Sequence, residues 1–364
     1  MINTQGMVAE TATKIYTDLC ARDVPHEAEA GQYPQALWDA LTENGLPLAW
    51  VSEANGGFGA DHDEVFGAIW ASAQAASPVP FAETLIANWM LDRAGLAPAD
   101  GSASFALSGH TPSADIPFGM HADKIVLFDE AHHEISLFDN RAAVRSPEES
   151  LSPDGMTQFI FSGHLAEQSA KTDISRRGIE ALILTVRAVQ MAAAMESALN
   201  MSIDYVTQRE QFGRPLSKFQ AIQQQLAVAA SECAAATMAA TQAASAIARH
   251  ADDPEQAWHE AVIAKVQIGH SVEAVTVPFH QVHGAMGYTQ EYDLHHYTRR
   301  LWAWRDALGN EHHWSKRLGE ALAVTSPDDI WKGVTTGHWV LVNRPIKVIP
   351  VGSRDASISS KNRS

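Results

Sequence analysis

Apolar residues recur at helical steps over most of this chain, with one interruption. After Tyr33-Pro34, Leu37 and Leu41 fall four apart and Gly45 follows, the pattern of an amphipathic helix ended by glycine. A glycine-rich stretch, P-L-A-W-V-S-E-A-N-G-G-F-G, comes next, and helical periodicity resumes over 61–77 and 81–94. Over 101–172 the pattern changes to short apolar runs. Lys124-Ile125-Val126-Leu127-Phe128, Glu134-Ile135-Ser136-Leu137-Phe138 and Gln158-Phe159-Ile160-Phe161 are separated by Asp, Gly, Pro and Asn, which predicts strands and turns of a small β domain. From 173 to 324 the helical period returns. Ile222, Leu226, Ala229, Cys233, Ala236 and Ala240 form one stripe; Trp258, Ala261, Ala264, Ile268, Val272 and Val275 form another. Small residues in both stripes let helices approach closely, and long helices with short connections predict a four-helix bundle. Ser217 and Gln220 read as an S-x-x-Q capping box at the start of the first of these helices. Residues 325–364 pass from strand-like G-H-W-V-L-V-N-R-P-I-K-V-I-P-V-G to a Ser-, Lys-, Asn- and Arg-rich end, so a partly disordered tail is expected. The predicted protein is mostly α with a small β domain: an N-terminal helical domain over 1–100, the β domain over 101–172, a helical bundle over 173–324 and the tail.

Composition narrows the function classes. The net charge of −17 repels nucleic acid and anionic lipid, so neither is an expected partner. Two cysteines build neither a disulfide framework nor a zinc cluster, which suits a reducing cytoplasm. The N-terminus shows no basic patch followed by an apolar run, so no secretory signal is expected. The most apolar stretch, 181–201, is interrupted by Arg187, Gln190, Glu196 and Asn200 and is not expected to span a membrane. The pairs His295-His296 and His312-His313 are adjacent and diverge on a helix, and His280-x-x-His283 has no third ligand near it in sequence. No metal site is expected.

Two motifs carry the chemistry. The first is R-E-Q-F-G at 209–213, followed by R-P-L-S-K-F-Q. Taken alone, an arginine at a helix end beside a glycine is a cap. The second is Q-V-H-G-A-M-G-Y at 281–288, followed by Glu291-Tyr292 and Arg299-Arg300. Its glycines let backbone approach a ligand, or simply turn the chain. Together, with Tyr205 four residues before Arg209, these stretches resemble the C-terminal half of the acyl-CoA dehydrogenase family of FAD enzymes. The order of helix, G-L-P-L-A-W-V-S-E-A-N-G-G-F-G-A and helix resembles that family's N-terminal domain. The resemblance implies the family's fold. It further implies that Arg209 and Gln211 reach the FAD pyrophosphate across a subunit interface, with Phe212 near the flavin and Phe219 and Gln220 making further contacts. Gln281, His283 and Gly284 are implied at the adenosine-diphosphate half. A guanidinium fork suits phosphate oxygens. The H-G-A-M-G-Y version resembles the branch acting on bulky acyl groups such as steroid side chains.

The same resemblance exposes gaps. Family chemistry removes the α-proton of an acyl-CoA thioester while a hydride passes to the flavin, and the base is a carboxylate. Its usual position falls at Leu308, and the position used by a minority of members falls at Ile183. Neither accepts a proton. The family's T-E-x-x-x-G-S-D-like loop and W-I-T-N-like strand are missing between Ala106 and His121, where Thr111 and Ser113 are the only hydroxyl substitutes, so the β domain reads as shortened. This is the pattern of the non-catalytic chain in heteromeric acyl-CoA dehydrogenases, a heterotetramer in which unlike subunits share a flavin. The implied partners are an unlike acyl-CoA dehydrogenase subunit, an acyl-CoA substrate and an electron-transfer flavoprotein. Two alternatives remain open: a self-sufficient homodimer using Glu311 or Asp306 as a displaced base, or a scaffold subunit without flavin.

Overall fold

A computed structural model describes residues 2–108, 113–140, 144–147, 156–160 and 165–339. Five helices come first: α1 (Met7–Leu19), α2 (Asp23–Glu29), α3 (Gln35–Glu43), α4 (His62–Gln74) and α5 (Phe81–Arg93). Leu37 and Leu41 are buried as the helical period requires, and α3 ends just before Gly45.

The strands follow: β1 (Ala103–Ser108), β2 (Ser113–Pro117), β3 (Lys124–Asp129), β4 (Glu134–Asp139), β5 (Val144–Pro147), β6 (Met156–Ile160) and β7 (Gln168–Lys171). They form a four-stranded sheet of order β1-β3-β4-β7 and a three-stranded sheet of order β2-β6-β5. Within the first, β1 runs parallel to β3 and the other pairs are antiparallel. The apolar run in β3 is buried on both faces, and its period of two divides it. Val126 and Phe128 join the main core with the helices, whereas Ile125 and Leu127 pack with Ala106, Ile116, Ala122 and Phe138 in a second cluster.

The helical bundle is built on α6 (Arg176–Gln208), whose first turn is capped by the Ser175 hydroxyl accepting from the Gly178 N–H. A small hairpin, β8 (Glu210–Gln211) and β9 (Arg214–Pro215), leads to α7 (Gln220–Arg249), then α8 (Trp258–His283), α9 (Leu294–Asp306), α10 (Glu311–Leu322) and α11 (Pro327–Thr336). Helices α6, α7 and α8 pack on one another and α10 lies on α8. Both small-residue stripes face this core: Ala229, Cys233, Ala236 and Ala240 of α7 and all six named residues of α8 are buried. The first two stripe positions, Ile222 and Leu226, are only half-buried. Helix α6 is long and apolar enough to cross a membrane, but its apolar window is entirely buried in this core. Arg187 and Gln190, which interrupt its apolar run, are buried with partners, the Arg187 guanidinium donating to Gln190 and to Glu83 of α5.

One local expectation is corrected. Ser217 lies in a 3₁₀ turn over Leu216–Lys218, and Phe219 (φ −94°, ψ 125°) is the residue before α7. The helix therefore starts too late for a capping box, and Ser217 instead offers its backbone carbonyl to the Gln223 side chain at 2.9 Å. Beyond residue 324 the described chain is helical over Pro327–Thr336, capped by Ser326. Residues 340–364 lie outside the described residues, and so does Thr111.

Candidate functional site

One end of the bundle gathers the residues implied in dinucleotide binding. Helix α6 ends at Gln208 and α7 begins at Gln220, with the hairpin between them. Phe212 (φ 52°) and Gly213 (φ 77°) form its turn, with both central residues at positive φ as a two-residue hairpin turn of the I′ kind requires. That conformation is uncommon for a phenylalanine. Phe212 is 90% exposed, touching Phe219 edge-on at 6.1 Å between centroids, and the Arg214 guanidinium sits 4.2 Å over the Phe219 ring. Arg209, Gln211 and Gln220 are all exposed. Arg209 has no ion-pair partner among the described residues, although its backbone N–H and C=O are bonded to Tyr205 and Leu216.

The end of α8 reaches the same place through an aromatic lock. Tyr205, one turn before Arg209, lies 4.4 Å from the His283 ring and donates its hydroxyl to the His283 carbonyl at 3.3 Å. Tyr292 packs 4.8 Å from His283 and edge-on to Tyr205 at 5.7 Å, so the three rings form one cluster. His283 is buried, with Nδ1 2.7 Å from the Phe279 carbonyl. Implied at the dinucleotide, this imidazole is instead turned inward, where it packs on two tyrosines and holds a helical carbonyl through Nδ1, while its Nε2 is buried without a hydrogen-bond partner among the described residues. Its neighbours remain outward. Gln281 is exposed, and Gly284 is exposed at φ 57°, ψ −135° with open space where a Cβ would stand. This backbone region belongs almost only to glycine. Exposed amide side chains, an unpaired guanidinium and an open glycine turn suit the pyrophosphate and ribose end of a dinucleotide.

The two positions at which the family resemblance implies a base meet in one cavity. A space of about 400 Å³ is lined by Leu107 of β1, Arg176, Glu180, Ile183 and Leu184 of α6, Asp306 at the end of α9, Leu308 and Gly309 after it, and His313, Trp314 and Arg317 of α10. Ile183 and Leu308 thus face a common space from different elements. The turn carrying Leu308 (φ 60°) is held from both sides: Trp314 donates its indole N–H to the Leu308 carbonyl at 3.0 Å, and buried Lys265 donates to the Trp304 and Arg305 carbonyls at 2.8 and 2.6 Å.

Sequence reasoning missed the carboxylate that does sit in this cavity. Glu180 is buried one helical turn before Ile183. Its Oε1 accepts from Arg176 at 2.9 Å and Arg317 at 2.8 Å, and its Oε2 accepts from the Trp258 indole at 3.2 Å. Two guanidiniums and an indole thus occupy both of its oxygens. The available signal was a lone Glu three residues before the minority base position in an otherwise apolar run.

The two displaced-base candidates separate. Asp306 lines the cavity and is exposed. Glu311 does not line it; Arg305 grips it through Nε at 2.9 Å and through a second nitrogen. That hydrogen-bonded guanidinium is the chief cause of a carboxyl pKa held down at about 2, against burial pushing it up. A carboxylate so weakly basic is a poor proton acceptor. Its unfolded value is the ordinary 4.5, so its stabilising contribution is complete above about pH 4.5 and is lost as the pH falls toward 2. Glu311→Gln is expected to cost about 1–2 kcal/mol at pH 7 after solvent screening. Urea midpoints taken from pH 7 to pH 2.5 should converge for wild type and variant; a constant gap would mean that this ion pair is not the cause.

Comparison with known proteins gives the setting. Residues 185–313 match the acyl-CoA dehydrogenase C-terminal domain family. The acyl-CoA dehydrogenase FadE34 of Mycobacterium tuberculosis is 26% identical over 333 residues, covering 86% of this chain and 46% of that protein. FadE27 and FadE28 of the same organism are covered over 59% and 54% of their lengths, so the chain spans about half the length of the curated relatives it matches. Among solved structures, a Tcur3481-Tcur3483 steroid ACAD variant superposes with a TM-score of 0.73 at 22% identity, covering 87% of this chain and 96% of that one. The ChsE4-ChsE5 complex from Mycobacterium tuberculosis gives 0.75 at 18% identity, covering 88% and 97%. At these identities the structural likeness establishes the fold.

Proposed function

We propose, from the premise that this chain is a member of the acyl-CoA dehydrogenase family, that it serves as the base-less subunit of a heteromeric acyl-CoA dehydrogenase. The family is FAD-dependent. One observation carries the reading: both positions available for the family's base, Ile183 and Leu308, line one cavity and are apolar, while the buried carboxylate beside them, Glu180, is fully engaged. When bound, FAD supplies the hydride acceptor for α,β-dehydrogenation of an acyl-CoA thioester. This chain's part is to bind and orient. Arg209 and Gln211 hold pyrophosphate oxygens of a dinucleotide seated mainly in the unlike subunit, Phe212 covers the flavin side, Gln220 and Gln281 donate amides, and Gly284 lets backbone approach. His283, buried in a cluster with Tyr205 and Tyr292, positions that turn. The exposed, unpaired state of Arg209 and the 90% exposure of Phe212 support a role completed by another subunit. A steroid side-chain CoA is the proposed substrate class, supported by the steroid ACAD among the structural neighbours. An electron-transfer flavoprotein is the proposed electron acceptor, and the cytoplasm, where free Cys20 and Cys233 stay reduced, the proposed compartment.

The test is expression alone and together with an unlike acyl-CoA dehydrogenase chain. Alone, the protein should be colourless and should not reduce a dye with acyl-CoA; together, the two should co-purify with flavin. A yellow, active single chain would end this reading. Asp306, at the same cavity, sustains one rival, a self-sufficient homodimer. In that case Asp306→Asn abolishes turnover, whereas in the heteromer it leaves turnover standing.

A further inference from the structure

Next to the bundle end, to which Tyr292 joins them, two helices distant in sequence meet at a knot of imidazoles. His26 belongs to α2, and His295 and His296 open α9. Adjacent residues on one helix diverge, so the pair alone carries no expectation of a shared ligand. The fold supplies a third imidazole from 270 residues away: His26 Nε2 stands 3.3 Å from His296 Nε2. The donor atoms of the three histidines all lie within 4.8 Å of one another.

The remaining ring nitrogens fix the tautomers. His296 Nδ1 lies 3.0 Å from Glu29 Oε1, and His295 Nδ1 lies 2.8 Å from the Tyr292 carbonyl. A carboxylate and a carbonyl accept, so each Nδ1 carries the proton and each Nε2 keeps a lone pair. His296 Nε2 faces His26 Nε2, and His295 Nε2 lies 4.0 Å from Glu29 Oε2. His295 Nε2 is buried with no hydrogen-bond partner, and burying such an acceptor without a partner costs free energy. An oxygen joins them, as Asp293 Oδ1 is 3.1 Å from His26 Nε2.

We propose that His26, His295 and His296, with Asp293 as an oxygen donor, form a site for a nitrogen-preferring divalent cation of the Zn²⁺ class that ties α2 to α9. Three lines of geometry support it. In a tetrahedral site with metal–nitrogen bonds of about 2.0–2.1 Å, neighbouring nitrogens stand roughly 3.3 Å apart, the separation of the His26 and His296 nitrogens. His295 contributes a donor atom within 4.8 Å of the other two. Carboxylate-to-imidazole and carbonyl-to-imidazole bonds on the far nitrogens are the usual support of metal-binding histidines. Finally, a cavity of about 410 Å³, lined by Arg22, Asp293 and His296 among others, offers an entry path. Two cations oppose binding: Arg22 Nε holds Asp293 Oδ1 at 3.0 Å, and Arg299 holds both Glu29 oxygens at 3.0 Å. The affinity must therefore come chiefly from the three nitrogens.

The experiment uses the full chain, stripped with chelator and titrated with Zn²⁺ and with Co²⁺ as a visible probe. One equivalent per chain is expected, with the ligand-field bands of tetrahedral Co²⁺. His26→Gln and His295→Gln should each weaken binding at least roughly tenfold, and Glu29→Gln, which only orients His296, by roughly tenfold. His132→Gln, at a surface histidine paired with Asp129, should change nothing. Absence of stoichiometric binding, or binding that survives both His26→Gln and His295→Gln, overturns the proposal. Should those variants fail to fold by circular dichroism, the wild-type Co²⁺ spectrum decides: without tetrahedral bands, the site does not exist.

Discussion

Replacing Arg187 by alanine should destabilise the protein by about 3–5 kcal/mol, the cost of breaking a buried ion pair from one side. Arg187 and Glu83 have side chains only 4% and 2% exposed, 3.3 Å apart, and the pair joins α5 to α6. Arg187 also donates to Gln190 at 2.9 Å and lies 5.3 Å over the Trp304 ring. Alanine removes all three interactions and strands Glu83 in the core without its guanidinium. A carboxylate left there must either stay charged in a poor solvent or take up a proton, and both lower stability. The double variant Glu83→Gln with Arg187→Met separates charge from shape. Removing both charges together should recover most of the loss, because the desolvation of the ions disappears along with their attraction. Urea unfolding of the three variants measures this. A loss below about 1 kcal/mol for Arg187→Ala, the value of an exposed pair, would mean that the pair is solvated and does not join α5 to α6.

That pair also shows how much of this protein was legible before any coordinates. Helical stripes in α7 and α8 were readable because burial on one side of a helix imposes a period, and the buried residues fell on it. The unbroken apolar run of β3 was readable because a strand covered on both faces needs no polar alternation. Arg187 and Gln190 registered only as interruptions of an apolar run, since the partner that makes them core residues, Glu83, lies 104 residues earlier. The same holds for the imidazole knot, whose third member comes from another helix. The capping box failed for a local reason: a 3₁₀ turn over Leu216–Lys218 uses the same kind of residues as a helix start and delays the helix. In the candidate site, the family resemblance pointed to Ile183 and Leu308, and both line one cavity. Spacing had no means of indicating that His283 turns inward. That outcome depends on Tyr205 and Tyr292 flanking it, which is a property of packing and not of the motif.

In the proposed heteromer, Arg209→Ala should lower FAD retention by roughly 10- to 100-fold, the equivalent of about 1.5–3 kcal/mol for hydrogen bonds to a charged group. The same variant should leave the unfolding midpoint of the chain unchanged, since its side chain is exposed and without an ion-pair partner among the described residues. This separation of effects is what a ligand contact predicts and what a helix cap does not. A capping arginine stabilises its own helix end, so its removal lowers the midpoint by a fraction of a kcal/mol and leaves flavin content intact. Arg209→Lys gives a graded control. It keeps the charge and loses the planar two-pronged donor, so flavin retention should fall between wild type and alanine. The measurement is flavin released per complex after gel filtration, with the apparent affinity from titration of the apo-complex. Equal flavin content in wild type and Arg209→Ala would remove the argument for a shared dinucleotide site and leave the hairpin as a surface feature. The backbone argues against that outcome. An aromatic residue held at φ 52° with 90% of its surface in water gains little within its own chain beyond an edge-on contact with Phe219. Such a conformation persists where a partner or ligand buries it.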